Sequence, residues 1–146
     1  MSTLSLVIGI SCLVLAAIHD ARTGFIPDRL SIGACFVIVC LAGVGGTLPQ
    51  TLLAAVGTAA PMLLLYALTR GRGLGFGDVK LAALIGAVLG LSLGYIALGL
   101  AFVVGAAICI IGLWLRRMHR GQEIAFAPYL AIGSLIALFA RGVQLV

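Results

Sequence analysis

Residues 81–115 read LAALIGAVLGLSLGYIALGLAFVVGAAICIIGLWL, from Leu81 to Leu115, without one charged side chain. As a single helix the run would be about 52 Å long at 1.5 Å per residue, against a hydrocarbon core of about 30 Å. It must therefore fold back on itself. Gly90-Leu91-Ser92-Leu93-Gly94 is the natural break, since two glycines there release the backbone. The run becomes two membrane spans, 79–92 and 95–115. Working outward, apolar stretches at 3–19, 30–48 (ending before Pro49), 51–69 and 125–141 supply four more. The expectation is an all-α polytopic bundle of about six transmembrane helices, in one membrane-embedded domain over residues 1–146.

Composition agrees. Hydrophobic residues make up 63% of the chain and charged residues 9%, where a soluble domain carries roughly 25% charged. The mean hydropathy is +1.30. Twenty glycines suit close helix packing in lipid. The first apolar stretch lacks a basic flank and a small-residue cleavage site before Asp20, so it reads as a retained span rather than a signal peptide. The four cysteines (Cys12, Cys35, Cys40, Cys109) lie in apolar runs and form no C-x-x-C pair. They read as small buried hydrophobes.

The basic residues set the orientation. Arg22 and Arg29 fall in the first loop. Arg70, Arg72 and Lys80 fall in the third, and Arg116, Arg117 and Arg120 in the fifth. Only Arg141 lies on the other side. Basic loops stay in the cytoplasm, so loops one, three and five are expected there, with both termini outside. The clustering speaks for topology and anionic-lipid contact rather than nucleic-acid binding.

Acids are scarce: four in 146 residues. Asp20 closes the first apolar stretch. Asp78 stands in Gly75-Phe76-Gly77-Asp78-Val79-Lys80, at the mouth of the fourth. An ionisable residue at a span edge is costly and points to function. Each aspartate taken alone reads equally well as a helix cap. Together, on one membrane face, they read as a dyad. Two carboxyls at short range share one proton. Such a pair can activate a water and protonate a carbonyl oxygen, without metal or cofactor. No H-E-x-x-H occurs, and Ser11, Ser31, Ser92 and Ser134 lie in or against apolar spans without a base in a motif. Gly75 and Gly77 are expected to loosen the backbone and let an extended peptide approach. Lys80 would reach the interface by snorkelling.

Three blocks then resemble one family. They are Asp20-Ala21-Arg22-Thr23-Gly24-Phe25-Ile26-Pro27-Asp28-Arg29-Leu30, Gly75-Phe76-Gly77-Asp78-Val79-Lys80-Leu81 and Ile124-Ala125-Phe126-Ala127-Pro128-Tyr129-Leu130. In that order, at span edges, they are similar to the type IV prepilin peptidases, G-x-G-D intramembrane aspartyl proteases. The resemblance implies catalytic Asp20 and Asp78, and a substrate-loop motif with Gly75, Gly77 and Lys80. It also implies prepilin or pseudopilin substrates cleaved at the cytoplasmic face of the bacterial inner membrane, for pilus assembly or secretion. Ala125 and Ala127 replace a proline and a glycine of the family pattern. The C-x-x-C insert of larger members, which carry N-methyltransferase activity, is not matched. The chain thus resembles the short, protease-only form found with tight-adherence (Flp) pili.

Other readings stay beside these. Asp28 reads as the N-cap of the second span. His19 is an interfacial histidine or a neighbour that tunes Asp20, and a metal site with His119 is not expected. Glu123 pairs locally with Arg116, Arg117 or Arg120. Trp114 and Tyr129 read as interface anchors. Gly86-x-x-x-Gly90-x-x-x-Gly94 fits packing within the bundle or a homodimer equally. A presenilin-type protease would be much longer. A transporter would keep its acids nearer the midplane.

Overall fold

The computed structural model describes residues 3–24, 28–71, 74–115 and 125–143. Among them the chain forms six helices: α1 (Thr3–Thr23), α2 (Asp28–Val44), α3 (Leu48–Thr69), α4 (Phe76–Leu89), α5 (Leu91–Trp114) and α6 (Ala127–Val143). No strand occurs among the described residues. The expected all-α membrane architecture is the one observed. Three helices, α1, α3 and α5, are long and apolar enough to cross a membrane alone. The spans expected at 30–48, 79–92 and 125–141 correspond to the shorter α2, α4 and α6.

The helix ends follow from a few residues. α2 stops four residues before the expected boundary. Gly46 takes φ 69°, and two bonds close the turn: Thr47 N–H to Ala42 O at 2.9 Å and Gly46 N–H to Gly43 O at 3.3 Å. This is the left-handed helix stop that glycine favours. Pro49 then sits in the first turn of α3, where no N–H is needed. Pro61 lies inside α3, so the carbonyl four residues back, at Gly57, loses its helical donor. The Tyr95 hydroxyl of α5 donates to that carbonyl at 3.0 Å. An intramembrane proline is thereby tolerated by a neighbour that satisfies the freed group.

The 81–115 run breaks at Gly90, with φ 81° and ψ 172°, a conformation open essentially to glycine alone. α5 then folds back along α4. A Cβ on Gly94 would stand 3.5 Å from the Gly86 Cα, although eight residues of continuous helix would separate the two by about 12 Å.

α4 is the centre of the molecule. It packs on all five other helices. Ten of its 14 residues are buried, which explains why its sequence is apolar on every side. At about 21 Å it is too short to span alone. Glycines set its packing distance to α3. A Cβ on Gly86 would run into Thr58 Oγ1 and the Ala54 carbonyl. The Thr58 hydroxyl sits 2.7 Å from Ala54 O in its own helix and 2.9 Å from Ala82 O of α4. Gly86 and Gly94 of the small-residue stripe thus face α3 and each other within one chain.

Candidate active site

The end of the bundle where α1 finishes and α4 begins carries the two aspartates. α1 continues one turn past its apolar stretch, so Asp20 is helical and turns inward; it is 6% exposed. Its partner lies far away in sequence. The backbone N–H of Ala127 donates to Asp20 Oδ2 at 3.1 Å. Ala127 is the first residue of α6, whose opening N–H groups have no partner inside the helix. Pro128 brings no N–H, and those of Tyr129 and Leu130 turn back to Phe126 O at 3.0 and 3.2 Å. Asp20 thus takes a donor that α6 itself leaves unused, and α1 and α6 are tied at the site.

Asp78 occupies the first turn of α4 and is 5% exposed. Its Oδ2 accepts from the Gly75 N–H at 3.2 Å, and its own N–H donates to Gly75 O at 3.1 Å. Glycine has no side chain, so this is a capping box with a backbone carbonyl in place of the usual hydroxyl. The second oxygen, Oδ1, is buried without a hydrogen-bond partner among the described residues. A buried unpaired carboxylate oxygen strongly disfavours the ionised form. Burial first, and the negative charge of Asp20 second, raise the Asp78 pKa to about 7; the Gly75 N–H opposes them. The structure therefore brings the two acids within electrostatic reach of each other, 58 residues apart in sequence.

The supporting residues behave differently from expectation in part. Gly75 is extended, at φ −74° and ψ 147°, and Gly77 is helical. Neither adopts a backbone reserved for glycine. A Cβ on Gly75 would stand in ordinary contact, 3.4 Å, with Asp78 Oδ2, which places this position beside the carboxyl. Lys80 is half-buried. Its Nζ lies 5.0 Å from the ring centre of Phe76, one turn nearer the acidic end, as a snorkelling lysine would. The Phe76 ring in turn rests 5.5 Å from that of Tyr66.

His19 is exposed, with Nδ1 2.9 Å from Thr23 Oγ1. No metal-binding group of three or more His, Cys, Asp or Glu occurs among the described residues. Trp114 is 83% exposed, as an anchor would be, whereas Tyr129 packs edge-on to Phe126 and against Gly105 of α5. Asp28 opens α2. Its side chain, Ile26, Pro27, Arg72, Arg116, Arg117, His119, Arg120, Glu123 and Ile124 lie outside what is described. The residue that sequence reasoning missed is Ala127, through its backbone. Its signal was present: a proline one position on marks a helix start.

Comparison with known proteins gives a consistent picture. The model of the type IV leader peptidase family matches residues 7–110. A "Prepilin leader peptidase/N-methyltransferase" of Burkholderia pseudomallei is 35% identical over 134 residues, covering 87% of this chain and 43% of the relative. The protein of that name from Bacillus subtilis is 34% identical over 136 residues, covering 90% and 53%. That of Pseudomonas aeruginosa is 43% identical over 75 residues, covering 51% and 26%. The chain thus spans about half, or less, of the length of these relatives. No solved structure matches.

Proposed function

This chain belongs to the type IV leader peptidase family, and on that ground we propose that it is an aspartic endopeptidase that removes the leader peptide of prepilins or pseudopilins. The single observation that carries this reading is the pair of buried carboxyls on different helices at one end of the bundle. One of them holds its proton up to about pH 7, through its burial first and the charge of the other second.

The chemistry follows from one shared proton. Asp78 is the protonated member and Asp20 the ionised one. Asp20 takes a proton from water as the water oxygen bonds to the scissile carbonyl carbon. Asp78 gives its proton to the carbonyl oxygen, and a neutral gem-diol results. Asp20 then returns its proton to the amide nitrogen. The C–N bond breaks, and a gem-diol hydroxyl restores the proton of Asp78. The products are a carboxylic acid and an amine; no covalent enzyme intermediate forms.

The backbone donors at Gly75 and Ala127 orient the two carboxyls. The exposed backbone at Gly75, beside the Asp78 carboxyl, lets the extended substrate approach. In this reading the basic end of the bundle faces the cytoplasm of a bacterial inner membrane, and the leader is cut there. The service is to pilus assembly, of the tight-adherence kind, or to secretion. These 146 residues carry the peptidase activity and not the methylation that the relatives' names include.

The test is co-expression with a candidate prepilin, read as leader loss on a gel. Asp20→Asn and Asp78→Asn should each abolish cleavage while the protein still inserts in the membrane. Full cleavage by either inserted variant would exclude the dyad.

A further inference from the structure

Two buried side-chain atoms have no hydrogen-bond partner among the described residues: Asp78 Oδ1 and Ser31 Oγ. Ser31 is 1% exposed. Helical hydroxyls in apolar surroundings commonly bond the carbonyl four residues back. Thr58, Thr69 and Ser134 do so here, with Ala54, Leu65 and Leu130 at 2.7, 2.8 and 2.7 Å. Ser31 makes no such bond, and its buried hydroxyl is left without a partner among the described residues. A partner from across the bundle would satisfy it.

The helix register says which way it faces. Ser31, Ala34, Ile38 and Ala42 are the buried residues of α2 and form one stripe at helical spacing. α2 packs on α1, α3 and α4, and Ala34 and Ile38 join the same core as Leu81, Leu84 and Ile85 of α4. The chain passes from α2 through the hairpin of α3 to α4, so α2 and α4 run parallel. Near their far ends, Ala42 and Ala87 line one cavity of about 250 Å³. Counting back from that level at 1.5 Å per residue, Ser31 lies about 16 Å away and Asp78 about 14 Å. The two orphan groups therefore share one layer, on neighbouring helices.

We propose that Ser31 is a positioning residue: its hydroxyl holds, against Asp78 Oδ1, the water that attacks the substrate. A buried water typically makes about three hydrogen bonds. Ser31 and the two carboxyls supply three, and both orphan atoms are satisfied at once. The hydroxyl fixes the water's lone pair toward the incoming carbonyl; the proton transfers stay with the aspartates. This inference rests on the peptidase reading for its consequence, but not for its geometry.

The experiment pairs turnover with spectroscopy on the purified full chain. Ser31→Ala should lower kcat for leader removal by about tenfold to a hundredfold. KM should stay within about twofold, because substrate contacts are untouched. Ser31→Thr, which keeps the hydroxyl, should recover most of the rate. Infrared difference spectra against Asp78→Asn isolate the carbonyl stretch of the protonated Asp78 carboxyl. That band should shift in Ser31→Ala and return in Ser31→Thr, with melting temperature recorded throughout. A full kcat in Ser31→Ala, or a lowered kcat with an unmoved band, overturns the proposal. A band that shifts in a protein that cleaves no prepilin removes the peptidase reading and keeps the hydrogen-bonded water. Cleavage with an unmoved band does the reverse.

Discussion

Asp78 uses one carboxyl for two purposes. Oδ2 caps α4 through the Gly75 N–H, and Oδ1 is buried and unpartnered among the described residues. The cost of that second oxygen appears as proton affinity, with a pKa of about 7. Two pH effects follow. The proposed mechanism needs the shared proton, so kcat should fall as pH rises through about 7; a kcat profile in liposomes checks it. Stability moves the same way. Between the ordinary aspartate value of 3.8 and about 7 the folded state binds a proton that the unfolded state has lost. This contribution is fully present below pH 3.8 and disappears as pH climbs through 7. Melting temperature in detergent should therefore drop across that window, and drop less in Asp78→Asn.

At the scale of the element, α4 decides how the two acids meet. It is short, buried on nearly all sides and set against α3 by the bare Cα of Gly86. Gly86→Ala would drive a methyl into the Ala54 carbonyl and the Thr58 hydroxyl. Overpacking of this kind typically costs about 1–3 kcal/mol. Backbone groups cannot step aside as a flexible side chain could. Gly99 of α5 is the matched control. Nothing lies within 4 Å of a Cβ there, and alanine in a helix interior is favoured over glycine by about 0.5–1 kcal/mol. Thermal unfolding should show a loss for the first substitution and no loss for the second. Equal losses would mean that the α3–α4 contact does not set the packing. The third block shows the same logic at α6: the helix start that Pro128 announces is completed by a carboxylate from α1.

For the whole molecule, the described ends place Arg22, Arg29, Arg70 and Lys80 at the same end as the aspartates, with the α2–α3 turn at the other. In a background without the four native cysteines, Thr23→Cys should react only with a reagent on the cytoplasmic side. Thr47→Cys should react only from outside. The reverse pattern would put the dyad on the wrong face for the proposed cytoplasmic cleavage. The chain matches 43% of the Burkholderia protein and 53% of the Bacillus protein, whose names join two activities. Mass spectrometry of a prepilin processed by these 146 residues with a methyl donor present should show the leader gone and no added methyl group.

That the chain is a helical membrane protein, and roughly where its helices fall, is legible in the amino-acid sequence alone. Hydropathy, helix length and bilayer thickness are local quantities, and the charge-free run from Leu81 to Leu115 could not be read otherwise. It also singled out Asp20 and Asp78, because ionisable groups are rare at span edges. How they are held depends on the packing of the bundle. The Ala127 N–H on Asp20, the Tyr95 hydroxyl over the carbonyl freed by Pro61, and the central place of α4 are contacts between distant segments. No periodicity encodes them, since each depends on which helix becomes whose neighbour. The role of Ser31 belongs to the same class. Along the chain it is one more serine in an apolar run; in the bundle it is a buried hydroxyl without a partner among the described residues.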